Sequence, residues 1–175
     1  MPPYRPAPND RSVFAYIGIE HPDLYEIVDG LAAADARVIC HVRGDPGTIG
    51  ASLAARGVTV LTDPADLTEV LPASDVAVGY ASAGISQAAL AAGRPQLALP
   101  YDLEKEGTAS ALDRLGVVLT LEVGLTAEQV TGAIDTLLAD GRYASHAAVC
   151  AQSILARSPV DALETIVTEC LGRLD

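Results

Sequence analysis

The chain contains no tryptophan, and aromatic side chains make up only 4% of it. With so few rings it cannot lay out a stacking platform for bases. Lysine is almost absent: Lys105 is the only one among 175 residues, and the formal net charge is −12. A nucleic-acid groove needs a basic stripe, so that class of partner is excluded. Any phosphate must be met by backbone N–H groups and a few local side chains. The three cysteines, Cys40, Cys150 and Cys170, have neither paired nor metal-ligand spacing and read as reduced packing residues. No His and carboxylate cluster has metal-binding spacing, so neither a metal site nor a cofactor is expected. No apolar stretch reaches the length of a membrane helix. Met1 to Pro8 (MPPYRPAP) lacks the apolar segment of a secretory signal. The expectation is a cytoplasmic protein with no transmembrane segment.

What the chain does have is 50% hydrophobic residues, mostly Ala, Val and Leu, at a length that makes one domain with an adequate core. Residues 1–12, with four prolines, read as an extended linker. Beyond them short apolar runs alternate with helical periodicity. Strands are predicted at Val13–Ile19, Arg37–Val42, Val58–Leu61, Val76–Gly79, Gln96–Leu99 and Val117–Leu121. Helices are predicted at Pro22–Ala34, from about Gly47 to Arg56, briefly to Leu71, at Ile85–Ala92 and at Leu103–Leu115. Thr126 then opens a helix to about Leu138, with a Gln at its third position for a capping box. Arg142–Ala156 and Pro159–Arg173 close the chain as C-terminal helices. Alternation of this kind predicts an α/β fold, a doubly wound, Rossmann-like parallel sheet of about six strands. The loop Gly18-Ile19-Glu20-His21 lacks the G-x-G-x-x-G fingerprint, which argues against a dinucleotide dehydrogenase.

Residues 75–100, DVAVGYASAGISQAALAAGRPQLALP, carry the clearest signal: strand, small-residue turn, alanine-rich helix, Gly-Arg-Pro stop, strand. The turn Tyr80-Ala81-Ser82-Ala83-Gly84 lets backbone approach a ligand closely and leads into a helix N-terminus with unpaired N–H groups. The same small residues also permit a helix packed tightly on a sheet, and spacing alone leaves both readings open.

The order of motifs resembles the C-terminal, donor-binding domain of GT-B glycosyltransferases of the UDP-glycosyltransferase type. Asp66–Asp75 (DLTEVLPASD) is similar to that family's loop, apolar-Leu-Pro step and Asp before the strand. The stretch 75–100 follows its pattern of strand, His-Gly-Gly-x-Gly-Thr, helix, Ala-Gly-x-Pro-Gln, strand, Pro, most closely at Ala91-Ala92-Gly93-Arg94-Pro95-Gln96. Departures are just as plain. The family's His falls at Tyr80, its two glycines at Ala81 and Ser82, its Thr at Ile85, its helix Glu at Ala88 and its Asp-Gln pair at Glu104-Lys105; Gly84 is kept.

The resemblance implies a domain over residues 13–175 that binds a nucleoside diphosphate sugar of UDP or dTDP type as substrate. It would transfer a hexosyl group to an acceptor held by a separate N-terminal domain or partner subunit. No catalytic residue is assigned to this chain, because the family places the base on that other domain. The donor and phosphate candidates are Gly18, Tyr80, Ser82, Ala83, Gly84, Ile85 and Ser86, and the sugar candidates are Glu104 and Lys105. Six of them have a plainer explanation: Gly84 as close packing, Ser82 and Ser86 as helix caps, Tyr80 as a wedge between strand and loop, Glu104 and Lys105 as a solvated charge pair. The substituted positions also fit a degenerate, non-catalytic domain that binds a nucleotide or a protein partner. A sugar-nucleotide epimerase of related architecture is the third and weakest fit.

Overall fold

The structure, a computed structural model, describes residues 1–44, 47–156 and 168. Six strands form one parallel sheet in the order β3-β2-β1-β4-β5-β6. They are β1 Ser12–Gly18, β2 Arg37–Arg43, β3 Thr59–Leu61, β4 Val76–Gly79, β5 Gln96–Ala98 and β6 Val118–Thr120. Seven helices accompany them: α1 Leu24–Ala33, α2 Gly47–Ala55, α3 Leu67–Val70, α4 Ala83–Ala92, α5 Leu103–Asp113, α6 Ala127–Ala139 and α7 Gly141–Leu155. The predicted strands are all present. The helix expected over Pro159–Arg173 falls, Thr168 aside, outside the described residues, as do Asp45, Pro46 and Cys170. No helix among the described residues is long and apolar enough to cross a membrane.

Both faces of the sheet are covered, which is why its strands read as unbroken apolar runs rather than alternating ones. Alternate residues of β1 divide between the two layers. Val13, Ala15 and Ile17 join Ile27 and Leu31 of α1 and Val130 and Ile134 of α6, while Phe14 packs with Leu71 and with Ile85, Ala88 and Ala89 of α4. Close approach of α1 and α6 depends on Gly30, where a Cβ would lie 2.5 Å from Val130 Cβ. Cys40 is buried in this core, which pushes its thiol up to about 12, as a packing residue requires.

Helix α4 begins two residues earlier than expected, at Ala83, and ends at Gly93 in the left-handed conformation (φ 73°). The Arg94 N–H bonds the Ala89 carbonyl and the Gly93 N–H that of Leu90, which closes the helix. The Tyr4 ring would stand 2.7 Å from a Cβ on Gly93. Only glycine satisfies both demands.

The N-terminal segment has no regular structure before β1, but it is pinned to the domain. The Asp75 carboxylate, at the foot of β4, accepts from the N–H groups of Asn9 (2.7 Å), Asp10 (3.1 Å) and Ser12 (2.9 Å) and from the Ser12 hydroxyl (3.0 Å). Nearby, Arg94 is fully buried and donates to the carbonyls of Leu71, Pro72 and Arg5. Burial pulls its guanidinium pKa down, and the charge of Asp75 opposes that shift.

Hydrogen bonds to a charged acceptor are worth about 1.5–3 kcal/mol each, and this group of four shares one carboxylate. Asp75→Ala is therefore expected to cost about 2–4 kcal/mol in urea unfolding and to release the Asn9 and Ser12 amides to hydrogen exchange. A loss within about 0.5 kcal/mol, the range of an ordinary surface change, would show that the segment is not anchored there.

Candidate functional site

In an open parallel sheet the crevice for a ligand lies at the C-terminal strand ends, where the strand order reverses. Here that point falls between β1 and β4, and the loops after β1, β4 and β5 surround it.

The loop after β4 is shaped by one residue. Ala81 has φ +59°, a left-handed conformation that costs a residue with a Cβ roughly 1 kcal/mol. Through this turn the chain leaves the strand and enters α4 at Ser82. Ser82 occupies the N-cap position, yet its side chain makes no capping hydrogen bond. The amides of Ala83, Gly84 and Ile85 are left without an intrahelical partner, and Ala83 and Gly84 are exposed. A Cβ on Gly84 would meet nothing within 4 Å. Close packing therefore does not explain that glycine; the space beyond it is open.

The Tyr80 hydroxyl donates to the Gly18 carbonyl (2.7 Å) and accepts from the Gly18 N–H (3.0 Å). This is the wedge: the ring bridges the ends of β1 and β4, and both its hydroxyl and the Gly18 amide are engaged internally. Burial raises the phenol pKa, opposed by the hydrogen bond with Gly18. Ser86 is buried with no partner for its Oγ, beside a small void lined by Gly79, Ile85 and Gln96. Its hydroxyl faces the sheet rather than the crevice. Ala88, at the position of the family's helix Glu, lies in the apolar cluster with Phe14 and Leu71.

After β5, Asp102 caps α5 by accepting from the Lys105 N–H (3.0 Å), and its carboxylate pairs with the Lys105 ammonium. That ammonium also lies 4.4 Å from the Tyr101 ring centroid. The hydrogen bond that the Lys105 ammonium donates to Asp102 is the main reason the Lys105 pKa is raised. The partner of Lys105 is thus Asp102, not its neighbour Glu104. Glu104 turns instead toward a groove of about 420 Å3 between α4 and α5, which Ala83, Ser86 and Gln87 also line.

Sequence reasoning missed Tyr101. Its ring meets His21 (5.3 Å) and Tyr80 (5.3 Å) edge-on, and His21 lies 4.8 Å from Tyr80, so three rings from three loops contact one another. The Tyr101 hydroxyl donates to Glu20 (3.1 Å), whose carboxylate also pairs with Arg43. A signal was present: in a chain this poor in rings, a tyrosine follows each of two central strands within three residues, Tyr80 after β4 and Tyr101 after β5. His21, read from sequence as an ordinary loop residue, is buried. Its Nδ1 accepts from the Asp23 N–H (3.0 Å), which puts the proton of the neutral ring on Nε2, where no hydrogen-bond partner stands.

No protein-family model and no curated protein matches the chain, but solved structures match it over nearly its whole length. The spinosyn forosaminyltransferase SpnP superposes with a TM-score of 0.74 at 25% identity, over 93% of this chain and 44% of that one. The glycosyltransferase VinC in complex with dTDP gives 0.73 at 24% identity, over 94% and 41%. LpCGTa in complex with UDP gives 0.74 at 19% identity, over 93% and 42%. The chain has the fold of a GT-B glycosyltransferase C-terminal domain. It spans less than half the length of each of these GT-B proteins.

Burial lowers the His21 pKa, against the charge of Asp23, which favours the protonated ring. Below about pH 6.5 the unfolded chain takes up a proton that folded His21 resists, so stability must fall as pH drops through that value. The carboxylates of Asp102 and Asp140, held low by their basic partners, lose their contribution only below about pH 4. His21→Phe should therefore flatten the dependence of the urea midpoint on pH between about 7 and 5. An unchanged slope would mean that His21 titrates as it does in the unfolded chain.

Proposed function

We propose that this domain binds the diphosphate of a nucleoside diphosphate sugar, of UDP or dTDP type, at the N-terminus of α4. In this reading it is the donor half of a glycosyltransferase that passes a hexosyl group to an acceptor held by a separate N-terminal domain or subunit. The observation that carries it is the exposed first turn of α4: unpaired amides at Ala83, Gly84 and Ile85, a free Ser82 hydroxyl, and open space over Gly84. Backbone N–H groups and the positive end of a helix dipole hold an anion without any basic side chain. They would act most strongly as the glycosidic bond to the diphosphate breaks and charge gathers on the leaving oxygen. The glycosyltransferase VinC in complex with dTDP, and LpCGTa in complex with UDP, share this fold and support the class of ligand.

Side-chain recognition is thinner than the backbone site. Lys105 and Arg43 already have carboxylate partners, so a diphosphate must compete with Asp102 and Glu20 for them. That pairing, with apolar Ala88 on the helix, favours a second reading: a non-catalytic domain that keeps the nucleotide site and binds weakly.

Gly84→Glu tests the site. A carboxylate in the first turn favours the helix, and open space receives it, so the fold should hold or gain slightly in melting temperature. Binding of UDP or dTDP, followed by calorimetry, should weaken at least about tenfold, equivalent to about 1.4 kcal/mol. Equal affinity for the variant and the parent would remove α4 as the phosphate site.

A further inference from the structure

The sheet beneath the first turns of α4 is built of small residues. Ala77 and Gly79 of β4, Ala81 of the turn and Ala98 of β5 line a void under Ile85 and Ser86. It measures about 10 Å3 to the centre of a water-sized sphere, the room that one molecule takes. No charged side chain lines it.

Two polar groups reach this void without a partner. Ser86 is 2% exposed, and its Oγ makes no hydrogen bond. Gln96, 5% exposed, donates from its amide nitrogen to the Ser86 carbonyl (3.2 Å), while its Oε1 makes no hydrogen bond among the described residues. The amide cannot be turned over to cure this, because its oxygen would then face the Ser86 carbonyl, acceptor against acceptor. A buried polar group with no partner costs more than a satisfied one contributes, and native interiors seldom leave one so. Here two such groups line the same small space.

We infer that this void is a binding site for a single water molecule, held between the Ser86 hydroxyl and Gln96 Oε1. The hydroxyl donates to the water oxygen, and the water donates one of its own O–H groups to Oε1, which can only accept. That gives the water two protein partners, enough to hold it in a buried site. Gln96 then grips Ser86 twice, at its carbonyl directly and at its hydroxyl through the water. Helix α4 is thereby tied to β5 just behind the exposed amides of Ala83 and Gly84. The site does not rest on the nucleotide reading, since it needs no ligand in the crevice.

Oxygen-17 relaxation dispersion tests this, because it counts water molecules that stay longer than the protein takes to tumble and is blind to exchanging hydroxyl protons. Gly79→Ala adds a methyl group to the wall of the void, where its Cβ would lie 3.4 Å from the Tyr16 carbonyl oxygen and 3.7 Å from Ile85, both ordinary contacts. Ser86→Ala removes one of the two partners. Each variant should hold one long-lived water fewer than the parent. Nuclear Overhauser effects from water to the Gln96 side-chain amide should be present in the parent and lost in both variants. An unchanged count in either folded variant would overturn the proposal. So would an atomic-resolution crystal structure in which the Ser86 hydroxyl turns to the Ser82 carbonyl and no density fills the void. Should one variant fail to fold, the other variant and the parent crystal structure decide.

Discussion

The left-handed turn at Ala81 is the constraint on which the crevice depends. A strand buried on both faces has to deliver its chain into a helix that lies close on the same sheet, and a reversal this tight needs φ > 0 at one residue. Glycine does this at no steric cost; the chain uses alanine and accepts roughly 1 kcal/mol of strain. In return the first turn of α4 emerges at the C-terminal end of β4, with its amides facing outward and no side chain closing over them. Tyr80, one residue before, fixes the turn against β1 through both hydrogen-bonding groups of Gly18. Behind it, the small side chains of Ala88, Ala89 and Ala92 bring the helix close to Phe14 and Leu71.

Around that turn, charge is balanced inside the domain. Lys105 goes to Asp102, Arg43 to Glu20, and the three rings of His21, Tyr80 and Tyr101 fill the space between the loops. The Arg43–Glu20 pair is largely exposed and worth little, so a doubly charged ligand can displace it at small cost, whereas the Lys105 side chain is only 14% exposed and its pair with Asp102 costs more to break. The crevice is thus compatible with a diphosphate while being stable without one. A similar economy appears at the opposite end of the sheet. There Asp75 and Arg94 tie residues 5–12 to the domain through backbone groups, so what reads as a linker is anchored at its root.

Much of this was legible in the residues because the signals were local. The Thr126 capping box reads from Thr and Gln three apart, and both of its hydrogen bonds form. The buried strands read from unbroken apolar runs, and Gly93-Arg94-Pro95 marks the end of α4. What could not be read were choices made across the fold. Nothing near Gly84 in sequence says that its surroundings are open. Nor does anything near Ser86 say that its hydroxyl faces the sheet, since a start at Ala83 rather than Ile85 sets which face it occupies. Lys105 pairs with Asp102 rather than Glu104 because the Asp102 cap places its carboxylate over the first turn of α5. The carboxylate of Asp75 holds amides 63 to 66 residues away, a separation no local pattern encodes.

The central claim is that a nucleoside diphosphate rests on the first turn of α4. Amide chemical shifts of the labelled chain, followed as dTDP or UDP is added to roughly 10 mM, test it directly, because a site of even millimolar dissociation constant fills at that concentration. The account predicts that the largest shifts fall on Ala83, Gly84 and Ile85, with Ser82 beside them. Amides of α4 that stay in place with both nucleotides, while others move or none do, would contradict it.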